Sequence, residues 1–428
     1  MMWVTDICSF GRSPYFLKEE KRMKKFLALL LALVMALSLV ACGDEPAPAG
    51  GSSAGGNGAD HSDFKIGVIL LHDENSGYDM AHIEGIKTAM ANLGLSEDQA
   101  TWYYSIPEDE TCKDKAVDLA ADGCDIVFSD SFGHQSYMQD AAKDYPDTIF
   151  VSCTGDSAAK SGLSNFKNMF PYTYESRYVS GVVAGMKLKE LMDAGTVTDP
   201  YVGYVGAYPY AEVVCGYTAF FLGIRSIVPD AHMDVQYTNS WYDLTGEGEA
   251  ANALMAKGCV IIGQHADSTG APSAVQAELD KGKAVYSVGY NVDMLSVAPQ
   301  AALTSAQNVW AALYTNVLEK ALNGEEIPAD TAMGYADGAT AISALGESCA
   351  EGTQEKVEEV WAAIKDGSLK VFDTSTFTVG GENLTSYTDA YGMDGAECIK
   401  DGAFEESVIR SAPYFDLRID GINELNAG

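Results

Sequence analysis

Met233-Asp234-Val235-Gln236-Tyr237-Thr238-Asn239-Ser240-Trp241-Tyr242-Asp243 is the stretch on which the reading of this chain turns. Its first five residues alternate apolar and polar, the period of a β-strand. Residues 247–256, which follow it, read as a helix. The loop from Thr238 to Asp243 therefore joins the carboxyl end of a strand to a helix, the place where open α/β sheets bind their ligands. Trp241 in that loop is expected to form one wall of a binding cleft, with an aromatic side chain from another domain as the opposite wall. On this stretch alone, a Trp that caps a core is the better account; the rest of the chain reverses that preference and favours the cleft.

Strands and helices alternate in both directions from the loop. Towards the N-terminus, residues 64–71 (FKIGVILL) form a buried-type strand, and 77–93 form a helix with Met80, Ile83, Met90 and Leu93 near one face. A short strand at 102–105, a helix at 112–121, a strand at 124–129, a helix at 135–143 and a strand at 148–153 follow. This order predicts a parallel sheet with helices on both faces. Residues 165–174 read as a break, and a long helix is expected from about 175 to 194. Its Gly181-Val182-Val183-Ala184-Gly185 spacing permits close packing on a neighbour. Strands at 201–206, 233–237, 259–264 and 283–289 then alternate with helices at 211–227, 247–256 and 271–280. A short strand at 302–304 and helices at 306–323 and 354–365 complete the body, and the tail from 371 is Gly-rich and irregular. The expected architecture is α/β, two doubly wound parallel-sheet lobes joined by hinge crossovers and able to close on a ligand. Residues 63–172 with about 301–330 would form the N-terminal lobe, and 173–300 with about 331–428 the C-terminal lobe and tail.

The 428 residues suffice for two domains with separate cores. With 61 Asp and Glu against 27 Lys and Arg, the net charge is −34. Such a surface is soluble and self-repelling, and it excludes nucleic acid and anionic lipid as partners. The N-terminus reads as a targeting signal: Lys24-Lys25, then the apolar run 26–41, then Leu39-Val40-Ala41-Cys42-Gly43. The run is short for a membrane span. The cleavage residues look like a bacterial lipobox, in which the Cys42 thiol is lipidated and becomes the mature N-terminus. Residues 1–22 precede an ordinary signal start at Met23. Residues 43–62 read as a flexible tether with an r.m.s. reach of roughly 25 Å. Seven cysteines follow Cys42 with no CxxC and no regular spacing, which fits neither a disulfide scaffold nor a zinc site; most read as small buried apolar residues.

Several blocks, in order, carry a family resemblance. They are Ser76-Gly77-Tyr78-Asp79-Met80-Ala81-His82-Ile83-Glu84-Gly85, Ser129-Asp130-Ser131-Phe132-Gly133, Tyr145-Pro146-Asp147, Arg177 to Gly185, Tyr237 to Asp243, Gln264-His265-Ala266-Asp267-Ser268, Gly289-Tyr290-Asn291-Val292-Asp293-Met294 and Arg410 to Phe415. Together they resemble the BMP (basic membrane protein) family of lipoproteins, the substrate-binding components of ABC transporters with a type I periplasmic-binding fold. The resemblance implies capture of a purine nucleobase or nucleoside, a permease as membrane partner, a monomer held at the outer face of the membrane by Cys42, and no cofactor. It carries over Tyr78 and Trp241 as plates on either side of the purine ring; base–aromatic stacking is worth roughly 1–3 kcal/mol. Asp79 would accept from a ring N–H or exocyclic amine, or else serve as a helix N-terminal acid. Ser129, Ser131 and Phe132 would line the rim of the first lobe. Gln264, His265 and Asp267 end a strand of the second lobe, where Asp267 could bind a base edge or cap the next helix. His82 reads more readily as a packing histidine.

Two positions depart from the nucleoside-binding pattern. Asn291 stands where relatives usually place an Asp that pairs with ribose, and Gln307-Asn308 where they tend to have a Lys. With Trp241 and Ala81-His82, these departures imply an adenine-like ligand without ribose, with Asp293 available to an amine. An enzyme reading finds little support: His61, His72, His82, His134, His232 and His265 lack HExxH or paired spacing, and no GxSxG, GxGxxG or Walker loop is present. Ser157-Ala158-Ala159-Lys160 matches SxxK without its companion motifs. A lipoprotein that presents a metabolite or sugar to a membrane sensor is the remaining alternative.

Overall fold

The computed structural model describes residues 61–427. Strands β1 (Ile66–Ile69), β2 (Ala100–Tyr103), β3 (Ile126–Ser129), β4 (Ile149–Ser152) and β5 (Phe166–Pro171) alternate with helices α1 (Gly77–Asn92), α2 (Glu110–Ala121), α3 (Gln135–Asp144) and the single turn α4 (Ala158–Ser161). The chain then passes through α5 (Thr173–Asp193), β6 (Tyr201–Gly206), α6 (Ala211–Arg225), β7 (His232–Tyr237), α7 (Leu244–Lys257), β8 (Ile261–Gln264), α8 (Gly270–Leu279), β9 (Tyr286–Tyr290) and β10 (Ala302–Asn308). Next come α9 (Trp310–Asn323), β11 (Asp330–Met333), β12 (Thr340–Ile342) and α10 (Thr353–Asp366). The short strands β13 (Ile399–Lys400), β14 (Ala403–Phe404) and β15 (Ile422–Glu424) lie in the tail.

Two sheets result. The first has the order β11-β5-β4-β3-β1-β2 and is parallel throughout. The second has the order β12-β10-β9-β8-β6-β7-β15, parallel except for β12. Strands such as β1, Ile-Gly-Val-Ile, are buried along their whole length because helices cover both faces of each sheet. In the first lobe, Ile83, Ile86 and Met90 of α1 pack with Trp310 and Leu313 of α9 on one face, and Ala116 and Leu119 of α2 pack with Met138 and Ala141 of α3 on the other. In the second lobe, α5, α6 and part of the tail share one core, and α7 and α8 pack on the opposite face.

Helices α5 and α6 touch backbone to backbone. A Cβ added at Gly181 would lie 2.0 Å from the Phe220 carbonyl oxygen, and one at Gly223 would lie 2.1 Å from that of Tyr178. The glycine spacing of the long helix thus serves packing.

Three sequence expectations are corrected. Residues 165–174 are not a break, since Phe166–Pro171 is a strand between β4 and β11. Residues 301–330 do not all return to the first lobe: Ala302–Asn308 pairs with β9 and β12 in the second sheet, whereas α9 and β11 belong to the first. The helix expected from 306 begins at Trp310, because pairing on both sides keeps Ala306-Gln307-Asn308 extended. The chain consequently crosses between lobes after β5, after β10 and after β11.

The tail is irregular yet ordered by burial. Phe372, Phe377, Phe404, Tyr414 and Phe415 enter the second-lobe core, and the buried Glu406 carboxylate accepts from the backbone N–H groups of Ser407, Tyr414 and Phe415. The tail also reaches the first lobe. Arg410 Nη1 lies 3.2 Å from Asp156 Oδ2, and Ser411 donates from N and Oγ to Asp330 Oδ1 at 3.0 and 2.8 Å. Seven cysteines are free thiols: Cys112, Cys124 and Cys153 in the first lobe, and Cys215, Cys259, Cys349 and Cys398 in the second. All but the half-buried Cys349 are buried. The residues read as a signal, Cys42 and most of the expected tether fall outside the described residues; among the described residues no helix is long and apolar enough to cross a membrane.

Candidate functional site

A small cavity, about 380 Å³ of non-atom space that includes its opening to solvent, lies between the lobes. Its wall is built from the carboxyl ends of parallel strands. From the first lobe come Leu71 and His72 after β1, Asp130, Ser131 and Phe132 after β3, and Thr154 after β4. From the second come Trp241 after β7, His265 and Asp267 after β8, and Tyr290 at the end of β9. Tyr78 and Asp79 from the first turn of α1, and Glu212 from that of α6, complete it.

The two aromatic plates are each held from behind. Tyr78 donates its hydroxyl to the Asp130 carbonyl at 3.0 Å and meets His82 and Trp310 edge-on, with centroids 4.6 and 6.0 Å away. Trp241 packs on Tyr208 at 5.2 Å, and its carbonyl accepts from Asp267 N at 2.8 Å. The loop that carries it turns at Asn239, whose φ of 56° lies in the left-handed region that Asn tolerates. Thr238 Oγ1 ties that turn by donating to the Ser240 carbonyl at 2.9 Å, and Asp243 ends the loop by capping α7, accepting from Thr245 N and Gly246 N. One backbone hydrogen bond joins the lobes at the cavity, from Gly77 N to the Asp267 carbonyl at 3.2 Å.

The wall is crowded with carboxyl groups. Asp79 is buried; its Oδ1 accepts from His72 N at 2.7 Å, and its Oδ2 lies 3.3 Å from His72 Nδ1. Burial pushes the Asp79 carboxyl up, but hydrogen bonds from His72, Asp130 and Ser76 outweigh it and leave the group below the usual range. Asp130 goes the other way, well above that range, through its burial and the neighbouring Asp79 charge. Burial likewise raises Asp267 well above its ordinary value, reinforced by Glu247, and pushes Glu212 up to about 7 against the pull of Arg177. Burial, helped by the Arg177 charge, keeps His265 neutral. The cavity thus gathers carboxyl groups whose proton affinities are pulled apart by burial, hydrogen bonds and neighbouring charge.

Arg177 is the buried cation of this region. Its guanidinium lies 3.6 Å from the Tyr290 ring centroid, and Nη1 donates to the Gln264 carbonyl at 2.6 Å. His82 is fully buried, with Nδ1 2.6 Å from the Tyr314 hydroxyl and its ring 3.8 Å from that of Trp310; burial pushes its pKa down to about 3.

Of the residues singled out from sequence, Tyr78, Asp79, Ser131, Phe132, Trp241, His265 and Asp267 line the cavity together. Ser131 Oγ is engaged, donating to Glu108 at 2.5 Å. Ser129, Gln264, Asn291 and Asp293 are not on the wall. Ser129 ends β3 and is buried. Gln264 shapes the 265–268 loop by donating from Nε2 to the carbonyls of Ala266 and Ser268. Asn291 donates to Asp267 Oδ1 at 3.2 Å and lies within reach of Asn308, which also bonds the Tyr290 hydroxyl. Of the two departures from the nucleoside pattern, Asn291 therefore braces Asp267 and Asn308 braces Asn291 and Tyr290, and neither is on the cavity wall. Asp293 is exposed and caps a 3-10 turn through Leu295 N.

Sequence reasoning missed Leu71, His72, Asp130, Thr154, Glu212 and Tyr290 on the wall, and Arg177 beside it. Most of these follow the carboxyl end of a parallel strand, so the rule applied to Trp241 would have found them had it been applied to every strand.

Known proteins agree with this architecture. The chain is 29% identical over 341 residues to the purine-binding protein of Brucella abortus strain 2308, covering 77% of this chain and 92% of the relative. It is 32% identical over 253 residues to a Haloferax volcanii protein named "Putative ABC transporter glucose-binding protein TsgA13", covering 59% of this chain and 60% of that one. Among solved structures, an ABC transporter solute-binding protein of Aeropyrum pernix K1 superposes with a TM-score of 0.62 at 16% identity, over 72% of this chain and 93% of that chain, which places the fold among the type I periplasmic-binding proteins. The family model described as "ABC transporter substrate-binding protein PnrA-like" matches residues 71–374. With most of both lobes inside that match, the chain belongs to the Bmp family of ABC transporter substrate-binding proteins.

Proposed function

We propose that this chain captures a purine nucleobase between Tyr78 and Trp241 and delivers it, with the lobes closed, to a membrane permease. The observation that carries the reading is that these two aromatics, from opposite lobes, line one small cavity. A purine is a flat π-system with donors and acceptors on its edge. Stacking would hold its faces, while the Asp79 carboxylate accepts from an exocyclic amine and a protonated Asp130 or Asp267 donates to a ring nitrogen. The purine-binding relative supports the ligand class. The use of Asn291 as a brace for Asp267, with Asn308 behind it, supports a ligand without ribose, adenine being the reference compound. Membership of a substrate-binding family makes the protein a carrier rather than a catalyst. In this reading the protein works as a monomer outside the cytoplasm, anchored through a lipidated Cys42; a mature chain beginning at another residue would retire the anchor.

Thermal unfolding of the purified protein against purines, nucleosides and sugars tests the ligand. At about 100 times its Kd, a ligand adds roughly 2.7 kcal/mol, a rise of about 5–10 °C for lobes of this size. Adenine is expected to give that shift, and Trp241→Ala to raise the adenine Kd about 5- to 150-fold, the equivalent of one lost stacking plate. The relative whose name gives glucose is the observation favouring a second reading, a hexose receptor. A shift with hexoses and none with any purine would replace the purine reading with that one.

A further inference from the structure

Beyond the base cavity lies a second chamber of about 1190 Å³. It shares Phe132, Thr154, Glu212 and Trp241 with the inner cavity, so the two adjoin at the Trp241 plate. Its outer wall comes from the tail, with Tyr391, Arg410, Pro413 and Arg418, and from Tyr210 at the start of α6.

The charged groups of this wall are already paired with one another. Arg410 donates from Nη1 to Asp156, from Nε to the Ala412 carbonyl and from Nη2 to the Pro413 carbonyl. Arg418 donates to Glu424 and to the Asp416 carbonyl, and the Asp416 carboxylate accepts from the Tyr387 hydroxyl and Tyr391 N. A phosphate would find both guanidiniums engaged and would face Asp156, Glu212 and Asp416. A polyol would have to break existing hydrogen bonds. What the chamber offers is ring surface: Tyr210 is 49% exposed and Tyr391 65% exposed. Apolar ring faces next to a planar-base cavity suit a planar or apolar group attached to that base.

We propose that this outer chamber is a second ligand subsite, which accepts a planar or apolar substituent carried by a purine whose ring lies between Tyr78 and Trp241. The proposal rests on the purine reading and extends it: the ligands of this chain include substituted purines, with Tyr391 of the tail contacting the substituent.

Titration calorimetry on the intact protein with adenine, 6-benzylaminopurine, 9-benzyladenine, adenosine and AMP decides the matter. The two benzyl isomers cover the two directions in which a substituent can leave the ring. One of them is expected to bind about tenfold more tightly than adenine, and AMP more weakly than adenosine. Tyr391→Ala is expected to abolish the benzyl gain while the adenine Kd stays unchanged, and Tyr391→Phe to retain it. Because Tyr391 is exposed, loss of folding is not expected, and an unchanged Tm checks this. Adenine binding with no gain for either benzyl isomer, or a gain that survives Tyr391→Ala, overturns the subsite and leaves the base cavity standing. Absence of binding by adenine and by both isomers overturns the purine reading and the subsite with it.

Discussion

Glu212, Glu247 and Glu406 are three glutamates that burial pushes from an ordinary 4.5 up to about 7. A carboxyl raised in the folded state holds its proton longer there than in the unfolded chain. Its contribution to stability is therefore complete below about 4.5 and is lost as the pH rises towards 7. The ligand-free protein should accordingly have a higher urea midpoint at pH 5 than at pH 7. Glu212→Gln should flatten part of that fall, since the amide does not ionise; an unchanged pH slope in the variant would show Glu212 to be solvated. The residues that produce this behaviour were the hardest to read from the chain. Trp241 was legible only in context: the strand-to-helix loop alone suits a core-capping Trp better, and the run of alternating strands and helices around it points to the cleft. Glu212 was not, because an acid in the first turn of a helix is commonplace, and nothing local reveals that Arg177 and His265 close over it. Asn291 and Asp293 show the converse. Their positions matched a ligand-contact pattern, but one braces Asp267 and the other caps a turn.

The α5–α6 pair is the element-scale feature with the sharpest consequence. Gly181→Ala puts a methyl group 2.0 Å from the Phe220 carbonyl oxygen, and two packed helices must separate to admit it. A loss of about 1–3 kcal/mol or more is expected, read as a fall in Tm of roughly 2–4 °C per kcal/mol. An unchanged Tm would mean that the helices are not in backbone contact. The glycine spacing announced this packing because only a missing side chain lets backbones meet. Strand β5 announced nothing: Lys167, Asn168 and Pro171 break its alternation, and it is a strand because β4 lies on one side and β11, some 160 residues later, on the other. Ala302–Asn308 misled for the same reason. Ala306-Gln307-Asn308 are acceptable in a helix, and only the pairing with β9 and β12 keeps them extended. Local pattern thus located the elements that carry their own burial signature, and failed where the partner is distant.

At the scale of the whole molecule, three crossovers and the tail connect the lobes, and the tail contact is the one that a single substitution can remove. Arg410 and Asp156 are mostly shielded, at 9% and 19% side-chain exposure, so their pairing favours the arrangement in which the lobes meet. Asp156→Asn should weaken that arrangement by roughly 0.5–2 kcal/mol, raising the Kd of a cleft ligand about 2- to 30-fold. A lowered Tm with an unchanged Kd would mean that the pair is kept whether or not the lobes are together. The free thiols add a property of a different kind. Three sit in one lobe and four in the other, and burial holds those of Cys112, Cys153 and Cys215 well above the ordinary range of a thiol, where the nucleophilic thiolate is scarce. Each becomes open to alkylation only when its own half of the molecule loosens. The chain therefore carries an internal clock for each lobe, and the order in which its cysteines are labelled during slow denaturation records which half lets go first.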